Sequence, residues 1–225
     1  MQSFCNKKVD NHFKMLDELI NLVLPPFCAG CGRPFTVMCC GCYEKLDFTF
    51  GEIKPNLKPT YLDRLQAALG YKGPIKSLIK EMKYLSVKPN ALWCGVLLYQ
   101  TVNWPEVDLV TSVPLHPKRQ HERGFNQAEE IARAFAFKAH LTYKPLLKRQ
   151  VNTPHQASFK SRHRRLKALN KVFKLADEVD TLEIKGKSIL VIDDVVTTGT
   201  TLNQCAKVLK ENGAKTVYGL AVAHD

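Results

Sequence analysis

Residues 189–201 read Ile189-Leu190-Val191-Ile192-Asp193-Asp194-Val195-Val196-Thr197-Thr198-Gly199-Thr200-Thr201, and this stretch limits the fold more tightly than any other. An apolar strand runs into two adjacent carboxylates, then into small hydroxyl residues around one glycine. A helical pattern over residues 201–212 follows, closed by Gly213. Such a loop fits a phosphorylated sugar. Backbone N–H groups of residues 198–201, threonine hydroxyls and the helix N-terminus surround a phosphate, while Asp193 and Asp194 accept hydrogen bonds from a vicinal diol. Neither the Gly-Lys-Ser/Thr of a Walker loop nor a G-x-G-x-x-G fingerprint is present here.

The rest of the chain alternates in the same way. Strand signals cover residues 65–71, 108–113 and 216–222, and helix signals cover 74–84, opened by Pro74, and 126–139. This alternation predicts an α/β fold: a mostly parallel sheet with helices on both faces. Residues 11–24 carry apolar side chains at helical spacing and stop at Pro25-Pro26, which predicts an amphipathic helix. Residues 47–60, with Gly51, Pro55 and Pro59, read as a linker, so the expected division is an N-terminal module over 1–50 and a main domain over 61–225.

Cys28, Cys31, Cys39 and Cys42 stand in the spacing C-x2-C-x7-C-x2-C. Paired C-x2-C turns each present two sulfurs, and four thiolates make a closed tetrahedral zinc site that stabilises a short segment and leaves no position for catalysis. Cys40 is set aside, because pairing it with Cys42 leaves a single spacer. Cys5, Cys94 and Cys205 are isolated and read as buried or inert.

Charge is concentrated. Lys and Arg number 33 against 21 Asp and Glu, for a net charge of +12, and no acidic residue occurs between Ile131 and Ala176. That stretch holds Lys160, Arg162, Arg164, Arg165 and Lys167 with Phe159 and Phe173 near them, which suits single-stranded nucleic acid; a solvated basic helix is the plain alternative. The longest apolar run, residues 91–98, is far short of the roughly 20 residues a membrane-spanning helix needs. The N-terminus lacks the apolar stretch of a secretion signal, so a cytoplasmic location, or a peripheral one at the inner face of the membrane, is expected.

The apolar run, acidic pair and Thr-x-Gly-x-Thr loop resemble the type I phosphoribosyltransferases. That resemblance implies that Asp193 and Asp194 hold the ribose hydroxyls of phosphoribosyl pyrophosphate and that residues 197–201 cradle its 5′-phosphate. Residues 112–127, Ser112-Val113-Pro114-Leu115-His116-Pro117-Lys118-Arg119-Gln120-His121-Glu122-Arg123-Gly124-Phe125-Asn126-Gln127, lie between the cysteine knuckle and the phosphate loop. In this arrangement the chain resembles the ComF family of competence proteins over nearly its whole length.

The same resemblance implies Arg119 and Arg123 as pyrophosphate ligands and carries over Arg149, Thr153 and Gln156 as further candidates. Lys167 stands where the family has an arginine, so no arginine role is assigned there. Implied with them are structural Zn²⁺, Mg²⁺ accompanying phosphoribosyl pyrophosphate, and single-stranded DNA as a partner. Competence proteins of the helicase or DNA-processing kind are further expected partners. The expected function is a phosphoribosyl pyrophosphate-binding protein acting in natural transformation on incoming single strands. A phosphoribosyltransferase of nucleotide metabolism without a DNA role is the alternative. No residue identifies an acceptor or a catalytic group; His116 and His121 are candidate bases.

Overall fold

The computed structural model describes residues 26–54, 57–150 and 172–225. Six strands make the main sheet: β1 (Phe48–Glu52), β2 (Arg64–Gly70), β3 (Leu109–Ser112), β4 (Thr142–Tyr143), β7 (Ser188–Val196) and β8 (Thr216–His224). Their order is β1-β2-β8-β7-β3-β4. The β1–β2 pair is antiparallel and the other pairs of this sheet are parallel. A separate antiparallel pair joins β5 (Leu147–Arg149) to β6 (Phe173–Leu175). Among the described residues the α-helices are α1 (Cys40–Tyr43), α2 (Pro74–Tyr84), α3 (Lys88–Thr101), α4 (Pro117–Arg123), α5 (Gln127–Ala139) and α6 (Thr200–Glu211).

Central strands of a parallel sheet are covered on both faces, which is why β7 and β8 read as apolar runs instead of alternating. Leu190 and Ile192 of β7 join one apolar cluster with Leu78 and Met82 of α2, Leu97 of α3 and Phe135 of α5. Ile189 and Val191 join the other, with Leu202, Cys205 and Leu209 of α6 and with Phe173 of β6. The α2 face is a plain helical stripe, Ile75, Leu78, Ile79 and Met82, each fully buried. Helices α3 and α5 approach so closely that a Cβ on Gly95 would stand 2.5 Å from the Ile131 carbonyl oxygen.

Connectivity creates a crevice beside β7. After β3 the chain passes through α5 on one face to β4, and after β7 it passes through α6 on the opposite face to β8. Adjacent strands whose following helices diverge leave a recess at their carboxyl ends. Register deepens it: Ser112, the last residue of β3, pairs with Ile192, whereas β7 continues to Val196.

Expected and observed elements agree closely for α2, α5, α6 and the strands β2, β3, β7 and β8. Three differences stand out. Residues 48–52, read as part of a linker, form edge strand β1; α3 had no expected counterpart; and β7 extends past its apolar run through Asp193 and Asp194. The helix expected over residues 11–24 lies outside the described residues.

Candidate functional site

Asp193 and Asp194 are consecutive residues inside β7, so their side chains leave the sheet towards opposite faces. Asp194 turns to the α2 side. There Lys83, in the last turn of α2, donates from Nζ to its Oδ1 at 2.9 Å, with side-chain exposures of 20% and 12% for lysine and aspartate. Burial works against the Lys83 ammonium, but the Asp194 carboxylate outweighs it and holds the lysine pKa above its ordinary value. Tyr71, just past β2, completes this side: burial raises its phenol pKa while the Lys83 charge opposes the rise.

Asp193 turns to the α6 side and accepts a hydrogen bond from the Asp194 N–H at 2.8 Å. Burial first, and then the Asp194 charge, push its carboxyl up to about 7, against the pull of that N–H and of Lys83 and Arg149. Arg149, at the end of β5, lies over the Phe173 ring at 5.5 Å. Burial and then the Arg119 charge lower its pKa, while Asp193 pulls it the other way. Arg149 is therefore a neighbour of both Asp193 and Arg119, although the three come from different elements.

Beyond Val196 the loop folds into a cradle of about 30 Å³ lined by Asp193 and residues 195–202. Gly199 takes φ 77°, a left-handed conformation that glycine adopts without strain, and this lets the chain turn directly into α6. Thr198 Oγ1 lies 2.8 Å from Thr200 Oγ1. The first N–H groups of a helix have no carbonyl partner within it, so this cradle presents donors and a positive dipole end to an anion. Asn203, one turn along, holds the cradle's back wall: its Oδ1 accepts from the Tyr61 N–H at 2.7 Å and its Nδ2 donates to the Pro59 carbonyl at 3.1 Å.

A larger cleft of about 530 Å³ opens on the β3–β4 side, lined among others by Ser112, Pro114, Gln120, Tyr143, Lys148 and Arg149. Arg149 stands at its wall and also in the field of Asp193, so it links the cleft to the carboxylate end of the site. Arg123 Nη1 donates to Gln127 Oε1 at 3.2 Å. His116 caps α4, with Nδ1 accepting from the Lys118 N–H at 3.2 Å, and His121 is exposed on the same helix.

The cysteines form a second centre. Sγ atoms of Cys28, Cys31, Cys39 and Cys42 all lie within 4.8 Å of one another, with Cys31 and Cys39 at 3.6 Å. Tetrahedral zinc with Zn–S bonds of about 2.3 Å sets its sulfurs about 3.8 Å apart, so this donor set fits the ion. Local chain geometry delivers the sulfurs: the Gly32 N–H bonds the Cys28 carbonyl at 2.7 Å, and the Cys42 N–H bonds the Cys39 carbonyl at 3.0 Å. Gly30 is required by space, since a Cβ there would stand 2.6 Å from Cys42 Sγ. Burial raises the Cys28 thiol, but N–H groups of Cys39, Gly30 and Cys31 overcome it and bring the pKa down to about 6. Cys42 is pushed up to about 12 by burial and by the three other thiols. Cys40 is exposed and outside the group, whereas Cys94 and Cys205 are buried with thiols raised by desolvation.

The phosphoribosyl transferase domain family matches residues 122–225, a span containing β7, the cradle, α6 and β8. A Salmonella typhi protein named DNA utilization protein YhgH is 31% identical over 170 residues, covering 71% of this chain and 71% of that protein. Competence protein F of Haemophilus influenzae is 28% identical over 217 residues, covering 88% of this chain and 85% of its own. Competence protein ComFC of Streptococcus pneumoniae is 37% identical over 105 residues, or 47% of this chain and 43% of that one. The chain belongs to the ComF family.

Of the residues singled out from the sequence of this ComF protein, the structure brings Asp193, the threonine loop and Arg149 together at one centre and the four cysteines at another. Sequence reasoning did not find Lys83 or Asn203. Lys83 had no local signal, because it sits next to the exposed Tyr84 at the end of an amphipathic helix. Thr153, Gln156 and the basic residues Lys160, Arg162, Arg164, Arg165 and Lys167 lie outside the described residues. Among the described residues no helix is long and apolar enough to cross a membrane.

Proposed function

We propose that this ComF protein binds phosphoribosyl pyrophosphate together with Mg²⁺ and works on incoming single-stranded DNA during natural transformation, in the cytoplasm. One observation carries the ligand half of this reading. A threonine cradle at the N-terminus of α6 takes in Asp193 from the carboxyl end of β7, and Arg149 stands in the fields of both Asp193 and Arg119. A phosphate monoester needs N–H donors and a positive dipole end; a ribose diol needs carboxylate acceptors; a pyrophosphate needs cations. The cradle answers the first requirement, Asp193 in its lining the second, and Arg149 in the field of Asp193 supports the third. Mg²⁺, when bound, would supply charge neutralisation at the pyrophosphate.

The DNA half rests on the competence proteins among its relatives and on the charge of the chain, whose excess falls in the acid-free stretch between Ile131 and Ala176. Zinc bound by the four cysteines would stabilise the N-terminal part of the chain without taking part in chemistry.

Calorimetric titration with phosphoribosyl pyrophosphate and Mg²⁺, wild type against the Asp193→Ala/Asp194→Ala double variant, tests the reading. Binding by the wild type that vanishes in the variant, with affinity for a single-stranded oligonucleotide nearly intact, is the expected outcome. No binding by the wild type refutes the ligand half, and equal loss of both affinities refutes two separate sites. Oligonucleotide affinity should also fall steeply as salt rises.

A further inference from the structure

We propose that Lys83 is a built-in counter-ion and positioning residue for Asp194, which holds that carboxylate as an oriented acceptor for a ribose hydroxyl and keeps a divalent cation from binding it. The ribose part rests on the phosphoribosyl reading given above; the counter-ion part does not.

The geometry comes from elements far apart in sequence. Nζ of Lys83 is 2.9 Å from Asp194 Oδ1, and both side chains are largely withdrawn from water. A lysine in the last turn of an amphipathic helix ordinarily extends into solvent, where its ammonium is best hydrated. Here the backbone on either side of it is pinned instead. The Met82 carbonyl accepts from Gln127 Nε2 at 3.1 Å, and Ser86, at φ 56°, donates from Oγ to the Arg123 carbonyl at 2.7 Å. These ties fix the end of α2 against the end of α4 and the start of α5 and leave Lys83 directed at β7.

Charge and shape then select the ligand. A partly desolvated carboxylate without a cationic partner attracts a hard divalent ion, which prefers oxygen donors. With an ammonium in hydrogen-bond contact, one Asp194 oxygen is occupied and one negative charge is neutralised. A neutral diol needs only oriented acceptors and still fits. A metal ion would have to displace Lys83, and would also face carboxyls that leave β7 towards opposite faces. The divalent ion is thereby confined to the pyrophosphate end of the crevice.

The experiment uses the full chain with Lys83→Met, Lys83→Gln and Lys83→Arg. Mn²⁺ alone is the first probe, followed by electron paramagnetic resonance, and ribose 5-phosphate is the second, followed by calorimetry. Wild type and Lys83→Arg are expected to bind Mn²⁺ at least about tenfold more weakly than Lys83→Met, and adding Asp194→Asn to Lys83→Met should erase the gain. Ribose 5-phosphate affinity should fall about tenfold in Lys83→Met and recover in part in Lys83→Arg. Lys83→Gln, which keeps a hydrogen-bond donor without charge, should gain Mn²⁺ as Lys83→Met does and carries the test should the methionine variant not fold. Equal Mn²⁺ binding by wild type and both neutral variants overturns the counter-ion role. A gain of Mn²⁺ by the neutral variants, together with a wild type that binds no ribose 5-phosphate, upholds that role and sinks the phosphoribosyl reading alone.

Discussion

The cysteine cluster and the carboxylate crevice are both built from charged or ionisable groups brought into close contact, yet they are encoded differently. Four sulfurs come from a segment of 15 residues, 28–42, and hydrogen bonds inside its two tight turns place them. The crevice draws Tyr71, Lys83, Arg119, Arg149 and Asp193 from five separate stretches, which meet only because the parallel sheet and its helices align. A local centre can be specified by spacing and stabilised by one ion. A distributed centre depends on the whole domain, and its charges are balanced by partners that no spacing rule reveals.

Removing the local centre should have the largest effect on stability. Cys28→Ser together with Cys31→Ser is expected to take zinc content from about one ion per chain to none and to lower the melting temperature by more than about 10 °C. Elemental analysis and a thermal melt decide it, and unchanged metal content would erase the contrast drawn between the two regions.

At the crevice the expected effect is intermediate and depends on pH. Asp193 keeps its proton in the folded protein up to about pH 7, whereas the unfolded chain gives it up near pH 4. Its contribution to stability is therefore fully present below about pH 4 and is lost as pH rises through about 7. Asp193→Asn should flatten that part of the stability profile in denaturant titrations run at several pH values. An unaltered slope would mean that the carboxyl is not held protonated by its surroundings.

The smallest effect is expected behind the cradle. Asn203→Ala removes the acceptor of the Tyr61 N–H and the donor to the Pro59 carbonyl, at a cost of about 1–2 kcal/mol. Zinc content should not move. Loss of zinc in this variant would show that the two regions are coupled, contrary to the contrast above.

The same contrast explains what could be read from the chain alone. Residues 189–201 announce strand, carboxylates, loop and helix because each signal is local. The strand runs longer than its apolar pattern since Asp193 and Val195 pair with Ala221 and Ala223 of β8 through the backbone, which is indifferent to side-chain polarity. Helix α3 was hidden by its burial: Ala91, Cys94, Gly95, Leu97 and Leu98 are covered while Leu92 and Tyr99 stay partly exposed, so no clean apolar stripe marks it. Strand β1 was masked by Gly51 and the prolines nearby, although its pairing with β2 covers the sheet edge. Lys83 was illegible for another reason, because periodicity places it at the edge of a helix and only the packing of α2 over β7 gives it a partner.

The most direct measurement is a crystal structure of the protein grown with phosphoribosyl pyrophosphate and Mg²⁺. The expected result places the 5′-phosphate in the cradle formed by residues 197–201, the ribose hydroxyls against Asp193 and Asp194 with the Lys83 contact kept, and the metal at the pyrophosphate end. A ligand bound elsewhere, or a metal ion held between the two carboxylates with Lys83 displaced, would contradict it.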